Sequence, residues 1–241
     1  MTRDLVYGRN SVREALRGRR GVLEVWTSER AAASLDWLSE GPRPRVRKER
    51  ELTEAAGTSD HQGVVAWCEP YPYADAWELA GVDRPLICCL DQVTDPRNLG
   101  AVVRSAGGAG ATGVVVPAHG ATVVTPAVCR SSAGAVEHLP VAVVPNLARY
   151  LGEVKGDRLW AYAASADGEA RLWDVDLTDG VALVLGAEGK GVRPLVRRTC
   201  DATIAIPLAP GVESLNVSVA AAVALFEARR QRGIPSTYTG G

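Results

Sequence analysis

Six short and almost unbroken apolar runs between residues 86 and 206 limit the fold more than any other feature of the sequence. They cover residues 86–90, 114–116, 141–144, 159–163, 181–185 and 204–206. Strands that are buried on both faces have such continuous runs, and the helix-length segments between them are typical of connections between parallel strands. The sequence therefore predicts an α/β fold whose parallel sheet is covered on both faces.

The N-terminal part of the chain has the pattern of a smaller α/β unit, with helices predicted at residues 11–17 and 31–38 and strands at 22–27 and 64–68. Pro70 and Pro72 then interrupt the pattern, since proline continues neither a helix interior nor a strand ladder. A chain of 241 residues is longer than one hydrophobic core usually needs. We therefore predict an N-terminal domain (1–76), a linker (77–84) and a C-terminal domain (85–241).

The composition argues against several classes of protein. The net charge of −1 does not suit a protein that coats nucleic acid non-specifically, and no segment has the length and apolarity of a membrane span. The N-terminus lacks the apolar stretch of a secretory signal, so we expect a cytoplasmic protein without a membrane partner. Two arginine clusters, at residues 13–20 and 43–50, suit either a solvated face or an RNA contact.

The cysteines and histidines form neither a disulfide pattern nor a metal-binding pattern. The five cysteines contain no CxxC pair, and buried free thiols are the default interpretation. The histidines, His61, His119 and His138, are scattered without the spacing of metal ligands. We therefore expect no metal site.

The first of three polar segments follows the run at residues 86–90. Asp95 suits the N-cap of a helix, and Pro96 suits its first position. Arg97 and Arg104 are seven residues apart and so lie on nearly the same face of that helix. Asn98 lies in the first turn, where free N–H groups attract a phosphate or a carboxylate. Taken alone, this segment favours a surface helix with solvated arginines.

The segment just downstream has the spacing of a dinucleotide-binding fingerprint, GxGxxG, at residues 108–113. That fingerprint follows a strand and opens a helix, whereas these glycines close a predicted helix and precede the run at 114–116. We interpret them as a helix C-terminus and a tight turn. A nicotinamide or flavin enzyme is the alternative.

Two further polar segments follow the last two apolar runs. Glycines at residues 186–191 allow the backbone to approach a ligand closely, and Glu188 adds a carboxylate there. Farther on, Ser214 is predicted to cap a helix that begins near Leu215, with Asn216 in its first turn. Ligands of α/β proteins bind beyond the carboxyl ends of strands, so the three segments are expected to form one site.

In this order and at these spacings, the three segments strongly resemble the SpoU (TrmH-like) family of RNA ribose 2′-O-methyltransferases. The residues that carry the resemblance are Leu90-Asp91-Gln92-Val93-Thr94-Asp95-Pro96-Arg97-Asn98-Leu99-Gly100 with Arg104-Ser105-Ala106, then Leu185-Gly186-Ala187-Glu188-Gly189, then Ile206-Pro207 with Ser214-Leu215-Asn216-Val217-Ser218-Val219-Ala220. Residues 7–12 and 60–65 resemble the small, ribosomal-protein-like substrate-binding domain on the ribosomal-RNA branch of the family.

The resemblance implies a SPOUT-type α/β domain with a deep trefoil knot and S-adenosylmethionine as methyl donor. Local patterns alone favour an unknotted sheet, because knots are nearly absent from proteins. The resemblance assigns cofactor binding to backbone groups of Gly186, Ile206 and Leu215. The catalytic set that it implies is Arg104, Asn98, Glu188, Ser214 and Asn216. It also implies a homodimer, for which the helix at residues 219–226 offers a surface, although an intramolecular core explains that helix equally well.

Two roles are open to Arg104. A ribose hydroxyl is a poor nucleophile at neutral pH, and the family mechanism gives the removal of its proton to this arginine, although arginine is effectively always protonated. Alternatively, Arg104 stays cationic, holds the target phosphate through two hydrogen bonds and stabilises the developing negative charge.

The resemblance leaves the RNA substrate open. The N-terminal domain favours 23S ribosomal RNA over transfer RNA, and an antibiotic-resistance methyltransferase on the same scaffold is a further alternative. We expect Arg97, Arg43, Arg45 and Arg47 to contact the RNA. The alternative from another class is a non-catalytic RNA-binding factor in ribosome assembly, against which the intact catalytic set argues.

Overall fold

The computed structural model describes residues 2–233, in which helices and strands alternate along most of the chain. The strands are β1 (Asp4–Tyr7), β2 (Val22–Thr27), β3 (Arg45–Val46), β4 (Val64–Cys68), β5 (Leu86–Asp91), β6 (Gly113–Pro117), β7 (Val141–Val144), β8 (Leu159–Ala164), β9 (Ala170–Arg171), β10 (Gly180–Gly186) and β11 (Ala202–Ala205). The helices are α1 (Arg9–Arg17), α2 (Glu29–Ala32), α3 (Glu49–Ala56), α4 (Ala76–Ala80), α5 (Pro96–Ala109), α6 (Pro126–Ser131), α7 (Leu147–Val154), α8 (Pro194–Thr199) and α9 (Val217–Gln231). The predicted α/β class is confirmed.

The chain forms two compact units, each assembled from separate stretches of sequence. The first contains the chain up to Tyr73 together with Asp95–Arg104 and Thr122–Pro140. The second contains Ala74–Thr94, Ser105–Ala121 and residues 141–233. The domain boundaries 1–76, 77–84 and 85–241 remain a prediction, and residues 1 and 234–241 of these ranges lie outside the described part.

The first unit contains a four-stranded sheet in the order β1-β4-β2-β3. Strand β4 is antiparallel to β1 and β2, and β2 is parallel to β3. The helix predicted at residues 31–38 is wrong, because α2 ends at Ala32 and a separate 3₁₀ helix runs over Asp36–Glu40. Ser34 Oγ donates a hydrogen bond to the carbonyl of Arg30 (3.0 Å), and such local side-chain bonds compete with continuation of a helix.

A buried ion pair joins the N-terminal sequence to the Thr122–Pro140 stretch within the first unit. Arg20 donates to the Glu137 carboxylate from Nε (3.0 Å) and from a terminal nitrogen (2.6 Å). The two side chains are only 2% and 1% exposed. The Tyr71 hydroxyl donates to the carbonyl of Val136 (2.9 Å), next to this pair in sequence. Two stretches distant in sequence therefore share one polar core.

The second unit contains a seven-stranded sheet in the order β7-β6-β5-β10-β8-β11-β9, with every neighbouring pair parallel. All residues of β5 and β6 are buried. On one face, Leu147, Leu151 and Val196 from helices α7 and α8 join the core. Helix α9 packs against β10 and β5. The predicted parallel, doubly covered sheet is confirmed.

The last predicted strand of this sheet differs in position from the observed one. The prediction placed it at residues 204–206, whereas β11 covers Ala202–Ala205. Thr203 accounts for the difference: although it interrupts the apolar run, its side chain is buried and its Oγ accepts a hydrogen bond from the N–H of Glu169 (3.1 Å). A satisfied polar side chain can therefore occupy a buried strand position.

All five cysteines are free and buried, as predicted. Burial raises the pKa of the Cys88 thiol to about 12, so this thiol stays protonated at neutral pH. Within residues 2–233, no group of His, Cys, Asp and Glu side chains is arranged to hold a metal ion. A search of the same residues finds no helix with the length and apolarity needed to span a membrane.

Candidate active site

Helix α5 begins at the predicted position and presents the predicted polar residues. The N–H of Arg97 donates to Asp95 Oδ1 (2.8 Å), so Asp95 caps the helix that starts at Pro96. Arg97 and Arg104 are exposed and Asn98 is half-buried. The two guanidinium groups are therefore accessible to an anionic ligand.

Helix α6 holds the first turns of α5 in place. Ser131 Oγ donates to the carbonyl of Pro96 (3.0 Å), and a Cβ added to Gly100 would lie 1.9 Å from the same Oγ. No side chain fits at Gly100, so the two helices approach each other closely there. Ser131 is not among the residues predicted from the sequence; the available signal was Gly100, a glycine in the interior of a helix.

The GxGxxG segment has the predicted structural role. Helix α5 ends at Ala109, Gly110 has a φ of 77°, and β6 begins at Gly113. The glycines therefore run from the end of a helix to the start of the following strand, which is the reverse of a dinucleotide-binding fingerprint.

The loop after β10 turns back over its own start. Gly186, the last residue of β10, pairs with Asp91, the last residue of β5. The N–H of Gly191 donates to the carbonyl of Ala187 (2.8 Å). A Cβ on Gly186 would lie 1.9 Å from the carbonyl carbon of Gly191. Only glycine fits at position 186, and Glu188 is exposed on the loop.

The side chain of Asp91, for which the sequence predicts no role, lies at the base of this loop. The Asp91 side chain is fully buried. Its Oδ2 accepts a hydrogen bond from the N–H of Arg193 and its Oδ1 accepts one from Arg193 Nε, both at 2.8 Å. The available signal was a carboxylate that continues an apolar strand, where an uncompensated charge is unstable.

Asn216, rather than Ser214, caps helix α9. The helix begins at Val217, and Asn216 Oδ1 accepts hydrogen bonds from the N–H of Ser218 (2.9 Å) and from Ser218 Oγ (2.6 Å). The prediction that Ser214 caps a helix from Leu215 is therefore wrong. Asparagine and serine are about equally good N-caps, so the residue type does not decide between Asn216 and Ser214. Asn216 is the cap because its Oδ1 lies within hydrogen-bond distance of the N–H of Ser218.

A hydrogen bond joins the second and third polar segments. Asn216 Nδ2 donates to Glu188 Oε1, across 28 residues of sequence. Ser214 is exposed in the stretch that precedes α9. Asn98 and Arg104 share helix α5 and belong to the first compact unit, whereas the other three belong to the second. That all five form one site remains a prediction.

The two loops of the second unit are suited to a nucleoside-like ligand. Gly189, Gly191 and Gly211 have φ values of 71°, 66° and 86°. A Cβ at any of them would meet no atom within 4 Å, so side chains do not fill the space beside them. Ile206 and Leu215 are half-buried and lie outside any helix or strand. Apolar side chains beside backbone that no side chain covers suit the binding of an adenosyl group.

Comparison with known protein families decides between the alternatives. The model of the SpoU rRNA Methylase family matches residues 85–226. The model described as RNA 2′-O ribose methyltransferase substrate binding matches residues 5–74. The chain belongs to the SpoU rRNA methylase family. As a SpoU methylase it is an RNA 2′-O-methyltransferase with S-adenosylmethionine as its methyl donor, which confirms the predicted activity and cofactor.

Relatives of this SpoU methylase match nearly its whole length. The 23S rRNA (guanosine-2′-O-)-methyltransferase RlmB of Pseudomonas putida is 39% identical in an alignment of 243 positions that covers 95% of this chain and 97% of that protein. The uncharacterized tRNA/rRNA methyltransferase slr0955 of Synechocystis is 36% identical over 95% of this chain, which spans 63% of that longer protein. The crystal structure of the SpoU methyltransferase AviRb from Streptomyces viridochromogenes with AdoMet has a TM-score of 0.83 at 28% identity and covers 97% of this chain and 92% of AviRb.

Proposed function

We propose that this SpoU methylase transfers a methyl group to the ribose 2′-oxygen of a guanosine in 23S ribosomal RNA. The observation that carries the proposal is the match to the Pseudomonas putida RlmB, because it covers the N-terminal substrate-binding region as well as the methylase region. An enzyme that acts on ribosomal RNA works where ribosomes are assembled, so the proposal includes a cytoplasmic location.

The proposed catalytic set is Arg104, Asn98, Glu188, Ser214 and Asn216, and the proposed cofactor contacts are backbone groups of Gly186, Ile206 and Leu215. Bound S-adenosylmethionine supplies an electrophilic methyl group. The exposed Arg104 acts as a cation that binds the phosphate of the target nucleotide and stabilises negative charge on the 2′-oxygen. This role needs no deprotonated guanidinium, which makes it the better physical account. As the methyl group moves from sulfur to the 2′-oxygen, the hydroxyl proton passes to solvent water.

The Glu188–Asn216 hydrogen bond gives these two residues a positioning role in the proposal. Asn216 uses its oxygen to cap α9 and its amide nitrogen to hold Glu188. The carboxylate is thereby fixed at one end of a rigid helix although it belongs to a glycine-rich loop. Holding reacting groups in one geometry is a large part of the rate enhancement in reactions of this type.

The test of the proposed function is methyl transfer from labelled S-adenosylmethionine to deproteinised, unmethylated 23S ribosomal RNA, with transfer RNA in a parallel reaction. We expect label in the 23S RNA at a single guanosine, mapped by the resistance of 2′-O-methylated positions to alkaline hydrolysis. Label in transfer RNA alone would contradict the proposed substrate. Cofactor binding without transfer to either RNA would favour a non-catalytic RNA-binding factor.

Two of the proposed RNA-binding arginines lie beside aromatic rings in the first unit. Arg45 pairs with Trp26 between β3 and β2. The Arg47 guanidinium lies 5.0 Å from the Trp26 ring centroid, and the rings of Trp26 and Trp67 are 4.5 Å apart. The Arg45 side chain is 63% exposed. Arginines beside half-buried tryptophans provide both phosphate contacts and stacking surfaces for bases.

We expect the triple substitution of Arg43, Arg45 and Arg47 by alanine to weaken RNA binding by about tenfold or more at moderate salt. The dependence of log Kd on log salt should become shallower by about 2–3, because up to three phosphate contacts are lost. Filter binding measures the RNA affinity and calorimetry measures the cofactor affinity, which should not change. Arg149→Ala removes an arginine that is 78% exposed on α7 and serves as control. Equal loss of RNA and cofactor binding would show that this cluster supports the fold instead.

Helix α9 provides the surface for the homodimer that we propose. Val219 and Phe226 on this helix are 47% and 48% exposed. Phe226 adjoins the end of α5, where a Cβ on Gly108 would lie 3.5 Å from its ring. Exposed apolar side chains beside small residues allow a close approach of two identical surfaces around a two-fold axis. Because both side chains are exposed, packing within one chain does not explain why this side of α9 is apolar.

Phe226→Asp is expected to convert the dimer to a monomer, because the change places a charge at the centre of the proposed interface. Size-exclusion chromatography with light scattering measures the mass. Leu195→Asp changes a side chain that is 57% exposed on α8 and is expected to leave the mass unchanged. A wild-type protein that is monomeric at micromolar concentration would rule out this interface.

A further inference from the structure

We propose that Asp91 is a positioning residue that holds the cofactor loop, residues 186–193, in the conformation that binds S-adenosylmethionine. The inference rests on the proposed function in one respect: it takes the backbone of Gly186 to be a cofactor contact. Asp91 itself is fully buried, so it acts through the loop and touches no substrate.

One carboxylate fixes Arg193 at both its backbone and its side chain. Oδ2 accepts from the N–H of Arg193 at 2.8 Å. Oδ1 accepts from Nε at 2.8 Å and faces a terminal guanidinium nitrogen at 2.7 Å. A side chain that bonded only to the guanidinium would leave the backbone free to shift. These contacts instead determine where the chain lies as it leaves the loop.

The position of Arg193 decides the shape of the whole loop. The backbone of Gly191 and Val192 crosses directly over Gly186, because a Cβ on Gly186 would lie 1.9 Å and 2.2 Å from their atoms. Arg193 is the next residue, and Asp91 pairs with Gly186 across the neighbouring strands. Asp91 therefore connects the two ends of the loop, because it pairs with Gly186 at the start through the sheet and holds Arg193 at the end through its carboxylate. The loop between them is short and carries Glu188.

The chemistry of Asp91 indicates a purpose other than general stability. A buried carboxylate contributes little net stability compared with a well-packed apolar side chain, because it loses its hydration, even though the Arg193 side chain that pairs with it stays 40% exposed. The rest of β5 is filled by apolar side chains and cysteines, and all of it is buried. At the end of this strand a carboxylate fixes the orientation of Arg193, because hydrogen bonds are directional and apolar packing is not.

The experiment compares Asp91→Asn and Arg193→Lys with the wild type and with a matched control. Asp91→Asn keeps the size of the side chain and one acceptor but loses the charge. Arg193→Lys keeps the charge and the backbone bond but loses Nε. Asp201→Asn is the control. Asp201, which directly precedes β11, also pairs with a cation, Lys155 (3.1 Å), and also accepts a hydrogen bond from a backbone N–H, that of Ala161 in β8 (2.8 Å).

The first measurement is the affinity for S-adenosylhomocysteine by calorimetry, alongside the affinity for RNA. We expect Asp91→Asn to weaken S-adenosylhomocysteine binding at least tenfold and Arg193→Lys about threefold. The affinity for RNA should stay within twofold of wild type. Asp201→Asn should change neither affinity, even if it lowers the melting temperature. S-adenosylhomocysteine binding within twofold of wild type in folded Asp91→Asn overturns the inference. If Asp91→Asn does not fold, unchanged S-adenosylhomocysteine binding in Arg193→Lys overturns the inference.

The second measurement needs no ligand. Hydrogen exchange of the free protein should be at least tenfold faster in Asp91→Asn at the Gly191 amide, whose bond to Ala187 closes the loop. Unchanged exchange there overturns the inference. A wild-type protein that binds no S-adenosylhomocysteine contradicts the proposed function instead, and the exchange comparison still decides whether Asp91 holds the loop.

Discussion

Replacing Arg104 by alanine is expected to lower the single-turnover rate of methyl transfer by about 10²–10³-fold, the usual effect of removing one group that stabilises charge in a transition state. The affinity for S-adenosylhomocysteine should stay within twofold, because the proposed cofactor contacts are backbone groups of other residues. Rapid-quench measurements with enzyme in excess over RNA separate the chemical step from product release. A rate within threefold of wild type would remove Arg104 from the catalytic set.

Arg104→Lys separates the two roles that the sequence leaves open. If Arg104 is a cationic anchor, lysine keeps the charge but loses the two-pronged contact, and it should recover part of the lost rate. The residual rate should then depend on pH in the same way as in wild type. If Arg104 is instead a general base, lysine should shift the pH dependence, because an ammonium group releases its proton more readily than a guanidinium.

Replacing Glu137 by alanine is expected to lower the free energy of unfolding by about 3–5 kcal/mol, because the buried Arg20 loses its two-pronged partner and keeps only the longer ion pair with Asp4 (3.4 Å). Such a loss is a large part of the total stability of a typical domain, about 5–15 kcal/mol. Urea denaturation followed by circular dichroism and by tryptophan fluorescence measures the effect.

Two further variants test the cause. The double variant Arg20→Met with Glu137→Leu should recover most of the loss, since apolar side chains can replace a buried pair. Glu40→Ala removes the partner of Arg17 in an ion pair whose side chains are 47% and 36% exposed. That loss should be much smaller, because solvent screens an exposed pair. Equal losses for Glu137→Ala and Glu40→Ala would show that burial of the pair does not matter.

The sequence predicts strands better than short helices in this chain. Strands β5, β7 and β10 are continuous apolar runs, and both their positions and their parallel pairing agree with the prediction. The segment at residues 31–38 also has helical spacing, but the Ser34 hydroxyl bonds to the carbonyl of Arg30 and the helix ends. Local hydrogen bonds of this kind are decided by geometry that hydrophobic spacing does not report.

The sequence predicts only part of the candidate site, again because local patterns do not report contacts between distant residues. The segments that carry Arg104, Glu188 and Asn216 are visible as polar stretches after apolar runs, and the resemblance gives them roles. The Glu188–Asn216 bond and the Asp91–Arg193 pair join residues far apart in sequence, and no local pattern indicates such partners. The trefoil knot stays a prediction from the resemblance, since strand order and pairing do not by themselves describe how a chain threads.

The place of β10 in the sheet has a consequence for the synthesis of this protein. β10 lies between β5 and β8, although both precede it in the chain. A nascent polypeptide that has not yet reached Gly180 therefore exposes the facing edges of β5 and β8, and it also lacks β11, the other neighbour of β8. Strand β5 is apolar over nearly its whole length. Unpaired apolar edges are templates for aggregation. Prematurely terminated chains should thus depend on chaperones and be rapidly degraded, whereas a complete chain protects both edges as soon as a single strand inserts.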